Sequence, residues 1–299
     1  MGSTSDGDED PTSELTDDQR QRYDTDGYLL LESFIDASSL ERLGSAMTEL
    51  IEASRTATVD DPRFDCEPDH RADAPRLRRI NSPVDLDPVF EEFILDGPVT
   101  DLAVALLGPD VRFHHSKLNI KWSGGGEEVK WHQDIQFWPH TDFSPLTIGV
   151  YLADVDDEMG PMGVVPGSHR GELFDLTTSD GRWTGSIRDD AIERAGVDGA
   201  EFLRGPAGSV TVHNCCAVHG SAPNRSPRMR PLLLQTYSRA DSYPLLGVGT
   251  NGKSGRLAHR VVRGHAPRRL EIDGRRMPAA PDWFRGDYTS IFEHQQRCD

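Results

Sequence analysis

Apolar residues at Leu40, Leu43, Met47, Leu50 and Ile51 recur at helical spacing and predict an amphipathic helix. The pattern Ser38-x-x-Glu41 is a capping box that opens it, and Thr16-x-x-Gln19 opens an earlier helix in the same way. Between them, Gly27-Tyr28-Leu29-Leu30-Leu31 reads as a short buried strand. A further helix is predicted over residues 88–107, stopped by Gly108-Pro109. From Val111 the pattern changes. Short apolar runs at residues 111–122, 128–136, 146–152, 163–166, 208–218 and 232–238 alternate with Gly, Pro, Asn and Asp turns. That spacing predicts a sandwich or barrel of antiparallel strands. Helices first and strands afterwards indicate an α+β chain with a β core. Residues 177–199 are polar and acid-rich, a surface excursion expected to be partly helical and able to cover a site.

At 299 residues and 36% hydrophobic, the chain is long enough to bury a real core. The first 18 residues carry seven acids and no base, and residues 1–14 read as a disordered acidic tail ahead of one domain over 15–299. The N-terminus lacks the basic and apolar regions of a signal peptide, and no apolar run approaches the roughly 20 residues that span a bilayer. A soluble cytoplasmic protein is the expectation. The net charge of −18 repels phosphate backbones, so nucleic-acid and anionic-membrane partners are not expected. The four cysteines, Cys66, Cys215, Cys216 and Cys298, form no C-x-x-C pair and read as free thiols. Only four basic residues are lysines, and Lys117, Lys121 and Lys130 all fall within 15 residues of His132.

Candidate chemistry concentrates in Lys130-Trp131-His132-Gln133-Asp134-Ile135-Gln136. On a strand, residues i and i+2 project to one face, so His132 and Asp134 offer an imidazole nitrogen and a carboxylate oxygen to one point. A second histidine completes a two-histidine, one-carboxylate triad, which leaves three positions open on an octahedral iron. His219 is the first candidate: it ends the apolar run 208–218 and precedes a turn. His213 and His169 compete with it. Eleven residues after His219 comes Arg230, which a hairpin through residues 224–227 would bring back beside it. A guanidinium there can hold a carboxylate through two hydrogen bonds. A metal triad plus a buried arginine is what binding a keto diacid requires. Gln136, Trp138 and His140 alternate beyond Asp134 and are expected to line the substrate pocket, Trp138 being equally able to pack at the barrel mouth.

The chain resembles the phytanoyl-CoA dioxygenase family of iron(II)- and 2-oxoglutarate-dependent oxygenases. The likeness runs from about Leu15 to Phe292. It includes Asp26-Gly27-Tyr28, Leu118-Asn119-Ile120-Lys121, Trp131-His132-Gln133-Asp134, Val165-Pro166-Gly167-Ser168-His169, Val218-His219-Gly220-Ser221 and Arg230. The resemblance implies a double-stranded β-helix, a cupin-like jelly roll with helices packed outside. It implies iron at His132, Asp134 and His219, and 2-oxoglutarate held through Arg230 and Ser221. Further co-substrate contacts are implied from Lys117, Asn119, Thr147 and Tyr151, with Arg79 aligned to another basic contact. The implied reaction consumes O2 and 2-oxoglutarate, releases succinate and CO2, and hydroxylates an aliphatic C–H of a small molecule. Because Asp134 is retained, the resemblance favours hydroxylation over halogenation. Trp138 matches a substrate-side tryptophan of the ectoine hydroxylases, relatives within the family, but Gln133 stands where those carry serine. A natural-product intermediate, an amino-acid-like molecule or a terpenoid is the expected substrate, handled by a monomer or homodimer.

Two other readings fit a jelly roll. A non-catalytic small-molecule binder would form no succinate, and a zinc or manganese hydrolase or isomerase has no use for Arg230 or for oxygen.

Overall fold

The computed structural model describes residues 15–58, 60–123, 126–246, 255–280 and 290–296. The expected acidic tail, Lys253 and Cys298 lie outside these residues. The chain begins with α1 (Asp17–Asp26), β1 (Tyr28–Leu31) and α2 (Ala37–Ala53). Thr16 and Gln19 cap α1 reciprocally, as the sequence pattern predicts, and Gly27 ends it at φ +79°. The second capping box does not form. Asp36 caps α2 instead, accepting from the Ser39 N–H at 2.9 Å. The helix starts two residues earlier than the Ser38 pattern implies, and the Ser38 hydroxyl donates to the Asp36 carboxylate at 2.6 Å in place of capping.

Two short strands follow, β2 (Phe64–Cys66) and β3 (Leu77–Asn81), then helices α3 (Pro83–Leu86), α4 (Pro88–Asp96) and α5 (Pro98–Leu107). The single helix expected over 88–107 is therefore two. Pro98 supplies no amide hydrogen, and a Cβ on Gly97 would stand 2.4 Å from the Phe93 carbonyl oxygen. The chain breaks there and Pro98 starts a new helix at its preferred first turn.

The β region contains β4 (Val111–Lys121), β5 (Val129–His132), β6 (Leu146–Tyr151), β7 (Met162–Val164), β8 (Glu201–Leu203), β9 (Val210–Asn214), β10 (His219–Ser221), β11 (Arg230–Arg239) and β12 (Val261–Arg263). These strands form two antiparallel sheets, and a separate hairpin pairs Arg269–Ile272 with Arg275–Pro278. The larger runs β1-β9-β6-β11-β4-β3-β2, with β12 also on β4, and the smaller runs β5-β10-β7-β8. This is the jelly-roll, double-stranded β-helix core with helices outside that the resemblance implies. One face of the large sheet carries Leu118, Ile120, Ile148, Val150, Val212 and Leu233 into the main core with Leu43, Phe90, Ile94 and Leu102 from the helices. The other face looks toward the small sheet. No helix among the described residues is long and apolar enough to cross a membrane.

The apolar run 208–218 is not one strand. It leaves the large sheet after Asn214, crosses at residues 215–218, and enters the small sheet as β10. Nor do β10 and β11 form a hairpin: they lie in different sheets, and the residues between them span the gap. A hydrophobic run that changes sheets looks continuous in sequence because both sheets bury it.

Candidate metal centre and co-substrate pocket

β5 and β10 are paired so that His132 and His219 are direct partners. Register therefore delivers two imidazoles side by side from strands 87 residues apart. Each ring is pinned through Nδ1. His132 Nδ1 lies 2.7 Å from the Lys130 carbonyl oxygen, and His219 Nδ1 lies 3.0 Å from that of Ala217. A carbonyl only accepts, so Nδ1 carries the hydrogen and Nε2 keeps its lone pair for a metal.

β5 stops at His132. Gln133 remains extended, and Asp134 opens a tight 3₁₀ turn. The i, i+2 relation expected of one strand survives in this form. Asp134 Oδ1 lies 3.6 Å from His132 Nε2 and 3.8 Å from His219 Nε2. All three residues are buried, and their ligand atoms lie within 4.8 Å of one another. The turn is fixed by the Ile135 N–H on the Cys215 carbonyl at 2.9 Å, and by Gln133 Nε2 on the Cys216 carbonyl at 2.7 Å. The crossing segment thus holds the carboxylate against the same β10 that supplies His219.

The other oxygen, Asp134 Oδ2, faces away from the histidine pair. His213 Nε2 lies 3.3 Å from it and Thr147 Oγ1 3.4 Å. His213, the competing third ligand, lies on β9 of the large sheet; its ring stands 4.3 Å from that of His219, but its Nε2 meets Asp134 at Oδ2 and not at the Oδ1 that faces His132 and His219. His169 is occupied elsewhere, with Nε2 3.2 Å from the Asp24 carbonyl oxygen. Burial pushes the Asp134 pKa up, but His219, His132, His213 and Lys117 outweigh it and hold the carboxyl well below its usual range. Burial, with His132 and His213 nearby, keeps His219 neutral. A carboxylate and neutral imidazoles are the protonation states that metal binding requires. Two nitrogens and one oxygen, with room on one side, fit an iron(II) ion.

These three residues open onto a cavity of about 470 Å³ between the sheets. Its large-sheet wall is built in cross-strand rows. Lys121 pairs with Arg230; Arg79 with Asn119 and then Leu232; Asn81 with Lys117 and then Leu234; His115 with Thr236, Thr147 and His213. Residues 115, 117, 119 and 121 share this face because strand side chains alternate. Trp138 and Phe137 close one end, with Thr184, Gly185 and Ser186 from the 177–199 excursion. A Cβ on Gly185 would meet the Phe137 ring at 2.9 Å, so this wall needs glycine to close tightly. The excursion is built of short 3₁₀ turns and packs its own small core, including Phe174, Leu176 and Ile187.

Arg230 is 3% exposed, and its Nε and Nη1 have no hydrogen-bond partner among the described residues. Burial lowers its pKa to about 10, which leaves it charged at neutral pH. A buried, charged, unpartnered guanidinium facing a cavity is a seat for a carboxylate. Beside it, Lys121 Nζ donates to Ser221 Oγ at 2.8 Å and to the Ser221 and Ala222 carbonyls. Burial, then the neighbouring Arg230 charge, lower Lys121 to about 7. With its oxygen accepting from Lys121, the Ser221 hydroxyl keeps its hydrogen for a ligand in the cavity.

The structure divides the remaining expected residues. Lys117, Asn119, Thr147 and Trp138 line the cavity with Arg230 and Ser221; Tyr151 and Gln136 do not. Tyr151 donates its hydroxyl to the Leu203 carbonyl at 2.6 Å. Gln136 turns away to donate to the Phe174 carbonyl at 2.5 Å, because the 3₁₀ turn ends strand alternation before it. His140 is tied to the Trp138 carbonyl. Neither the place of Lys121 beside Ser221 nor the contact of His213 with Asp134 is among the sequence expectations. The alternation of His115, Lys117, Asn119 and Lys121 was the signal available for the former.

Comparison with known proteins agrees with this picture. A family model described as phytanoyl-CoA dioxygenase matches residues 23–232. A probable alpha-ketoglutarate-dependent hypophosphite dioxygenase from Stutzerimonas stutzeri is 33% identical, covering 79% of this chain and 82% of its own. An ectoine dioxygenase from Sphingopyxis alaskensis is 30% identical over 74% of each. The crystal structure of EctD from S. alaskensis with 2-oxoglutarate and 5-hydroxyectoine superposes with a TM-score of 0.68 at 26% identity, covering 87% of this chain and 88% of that one.

Proposed function

The chain belongs to the phytanoyl-CoA dioxygenase family and is an iron(II)- and 2-oxoglutarate-dependent dioxygenase; from that premise we propose that His132 Nε2, Asp134 Oδ1 and His219 Nε2 hold the iron and that Arg230 holds the far carboxylate of 2-oxoglutarate. The observation that carries this reading is the pairing of two Nδ1-pinned imidazoles and a carboxylate with a buried guanidinium lacking a partner in one cavity. Iron bound there supplies the redox chemistry that couples decarboxylation of 2-oxoglutarate to insertion of oxygen into the substrate.

The protein's own contribution is placement and exclusion of water. Ser221 and Lys121 accompany Arg230 at the far end of the pocket. Asn119 accepts from Arg79 Nε at 2.9 Å, which leaves its amide N–H groups for the cavity. Thr147 acts by fixing Asp134 Oδ2 and is itself held by Thr236 at 2.9 Å. Tyr151 stands beside Leu232 on the same face of the large sheet and ties it to the small sheet through the Leu203 carbonyl. Residues 15–299 act as one dioxygenase domain.

The reaction is hydroxylation of an aliphatic C–H of a small molecule, with release of succinate and CO2. A cavity of about 470 Å³ suits two small molecules and not a bulky thioester. Similarity to a hypophosphite dioxygenase, an L-proline trans-4-hydroxylase and ectoine dioxygenases supports a compact polar substrate, amino-acid-like in size. The test is succinate formation and oxygen uptake by the iron-loaded protein with 2-oxoglutarate and a panel of such molecules. Failure to convert any 2-oxoglutarate, coupled or uncoupled, would sink the reading.

A further inference from the structure

We propose that Lys117, backed by the Trp138 ring and flanked by Arg79, seats an oxyanion of the substrate, so that the substrate class is a small carboxylate or phosphorus oxyanion. This rests on the reading that Arg230 holds 2-oxoglutarate.

Lys117 lines the cavity but has no hydrogen-bond or ion-pair partner among the described residues. Its ammonium lies 5.4 Å from the centre of the Trp138 ring, a contact that positions a cation without neutralising it. It is close enough to Asp134 for each charge to shift the other's pKa. Asp134, however, turns Oδ1 to the two ligand imidazoles and Oδ2 to His213 and Thr147. The diagonal neighbour Arg79 adds positive charge to the same wall. Arg79 faces Asp65 on β2 and binds Asn119; Lys117 has the charge of Asp134 nearby but no hydrogen bond or ion pair of its own among the described residues.

The co-substrate does not account for this charge. 2-Oxoglutarate brings two carboxylates: one belongs with its keto group at the metal, and the other has the unpartnered Arg230 guanidinium and the Ser221 hydroxyl facing it. Lys121 and Lys117 are four residues apart on β4, about 13 Å of strand, so one terminal carboxylate cannot be shared between the two lysines' rows. On the side away from Arg230 the next residue of this face is His115, followed by the Trp138 end of the cavity. Burial, with Lys117 beside it, keeps His115 neutral, at a pKa of about 3. The indole Nε1 of Trp138 also lacks an acceptor among the described residues. A desolvated ammonium between the metal carboxylate and an aromatic wall is stable when an anion joins it, and costly when none does. Anchoring the substrate's charge there leaves the rest of the molecule to face the metal.

The test uses iron(II)-loaded protein, kept anaerobic with saturating 2-oxoglutarate, titrated calorimetrically with hypophosphite, with isobutyrate and with its neutral isostere isobutyramide. Wild-type protein is expected to bind at least one anion and to discriminate isobutyrate from isobutyramide. Lys117→Met should weaken anion binding about tenfold or more, the loss expected for one charge-assisted hydrogen bond. Lys117→Arg should restore part of it, and Lys117→Gln provides a second neutral variant should Lys117→Met not fold. The affinity for 2-oxoglutarate should change less than threefold in each variant. The proposal is overturned if no anion binds the wild type, if the neutral variants bind anions unchanged, or if they lose 2-oxoglutarate as Arg230 variants do. If 2-oxoglutarate itself fails to bind iron-loaded wild type, the co-substrate reading has failed; if it binds and the anions do not, only this inference has.

Discussion

Arg230→Met removes the buried cation while filling most of its volume, and its two effects have opposite signs. Without co-substrate, the native guanidinium is 3% exposed with Nε and Nη1 unpartnered, a state that costs stability. The apo variant should therefore melt no lower than the apo wild type. With co-substrate, the loss is a charge-assisted bidentate contact. Such a contact contributes roughly 3–5 kcal/mol when one buried partner is truncated, and the nearby Lys121 ammonium offsets part of that. A net loss of about 3 kcal/mol corresponds to a Kd for 2-oxoglutarate roughly a hundredfold higher. The assay is thermal unfolding of iron-loaded, anaerobic protein across a 2-oxoglutarate titration. At a hundred times the wild-type Kd, the wild type gains about 2.7 kcal/mol and the variant only about 0.4 kcal/mol. If the variant keeps the full ligand-induced stabilisation, Arg230 does not bind the co-substrate. If the apo variant is strongly destabilised, the guanidinium has a structural partner that this account lacks.

Three further outcomes follow from the same geometry. Burial holds His114, His115 and His140 below the ordinary histidine value. The unfolded chain takes protons below about pH 6.5 that the native protein refuses. Apo stability should fall as pH falls through that value, His115 alone contributing about 1.4 kcal/mol per pH unit down to about pH 3; urea melts from pH 8 to 5 that show no loss would refute it. Thr147→Val removes a hydroxyl shared by Asp134 and Thr236 while conserving shape. It should speed iron release about tenfold with little change in 2-oxoglutarate affinity, measured by chelator chase, and an unchanged release rate would remove the role given to Thr147. Leu233→Ala empties a fully buried site in the main core and should cost about 2–5 kcal/mol in chemical denaturation without altering iron stoichiometry; loss of iron at full occupancy of the folded state would contradict the separation of core from site.

Much of the site was legible because strands are periodic. His132 and Asp134 are two residues apart, and β4 presents Lys117 and Asn119 on one face for the same reason. Alternation failed where the backbone stopped being a strand. Asp134 begins a 3₁₀ turn, so Gln136 swings to the Phe174 carbonyl, and Trp138 alone of the three residues expected at the substrate lines the cavity. The ambiguity between His213 and His219 was inherent in the sequence, since one lies within and the other directly after a single apolar run. What separates them is the crossing at residues 215–218, which leaves His213 in the large sheet and carries His219 to the small one. Lys121 gained a place only in three dimensions, because Ser221 and Ala222 approach it from the other sheet. The break between α4 and α5 was written in Gly97-Pro98, and apolar periodicity continuing through it masked the signal.

The identity of the metal ligands is read out by iron content. Wild type, His219→Ala and His213→Ala proteins, each shown to be folded by circular dichroism, are equilibrated anaerobically with iron(II), desalted and assayed for bound metal. About one iron per chain is expected in the wild type, with a large loss in His219→Ala and near-wild-type content in His213→Ala. Retention of iron by His219→Ala with loss from His213→Ala would contradict the assignment of His219.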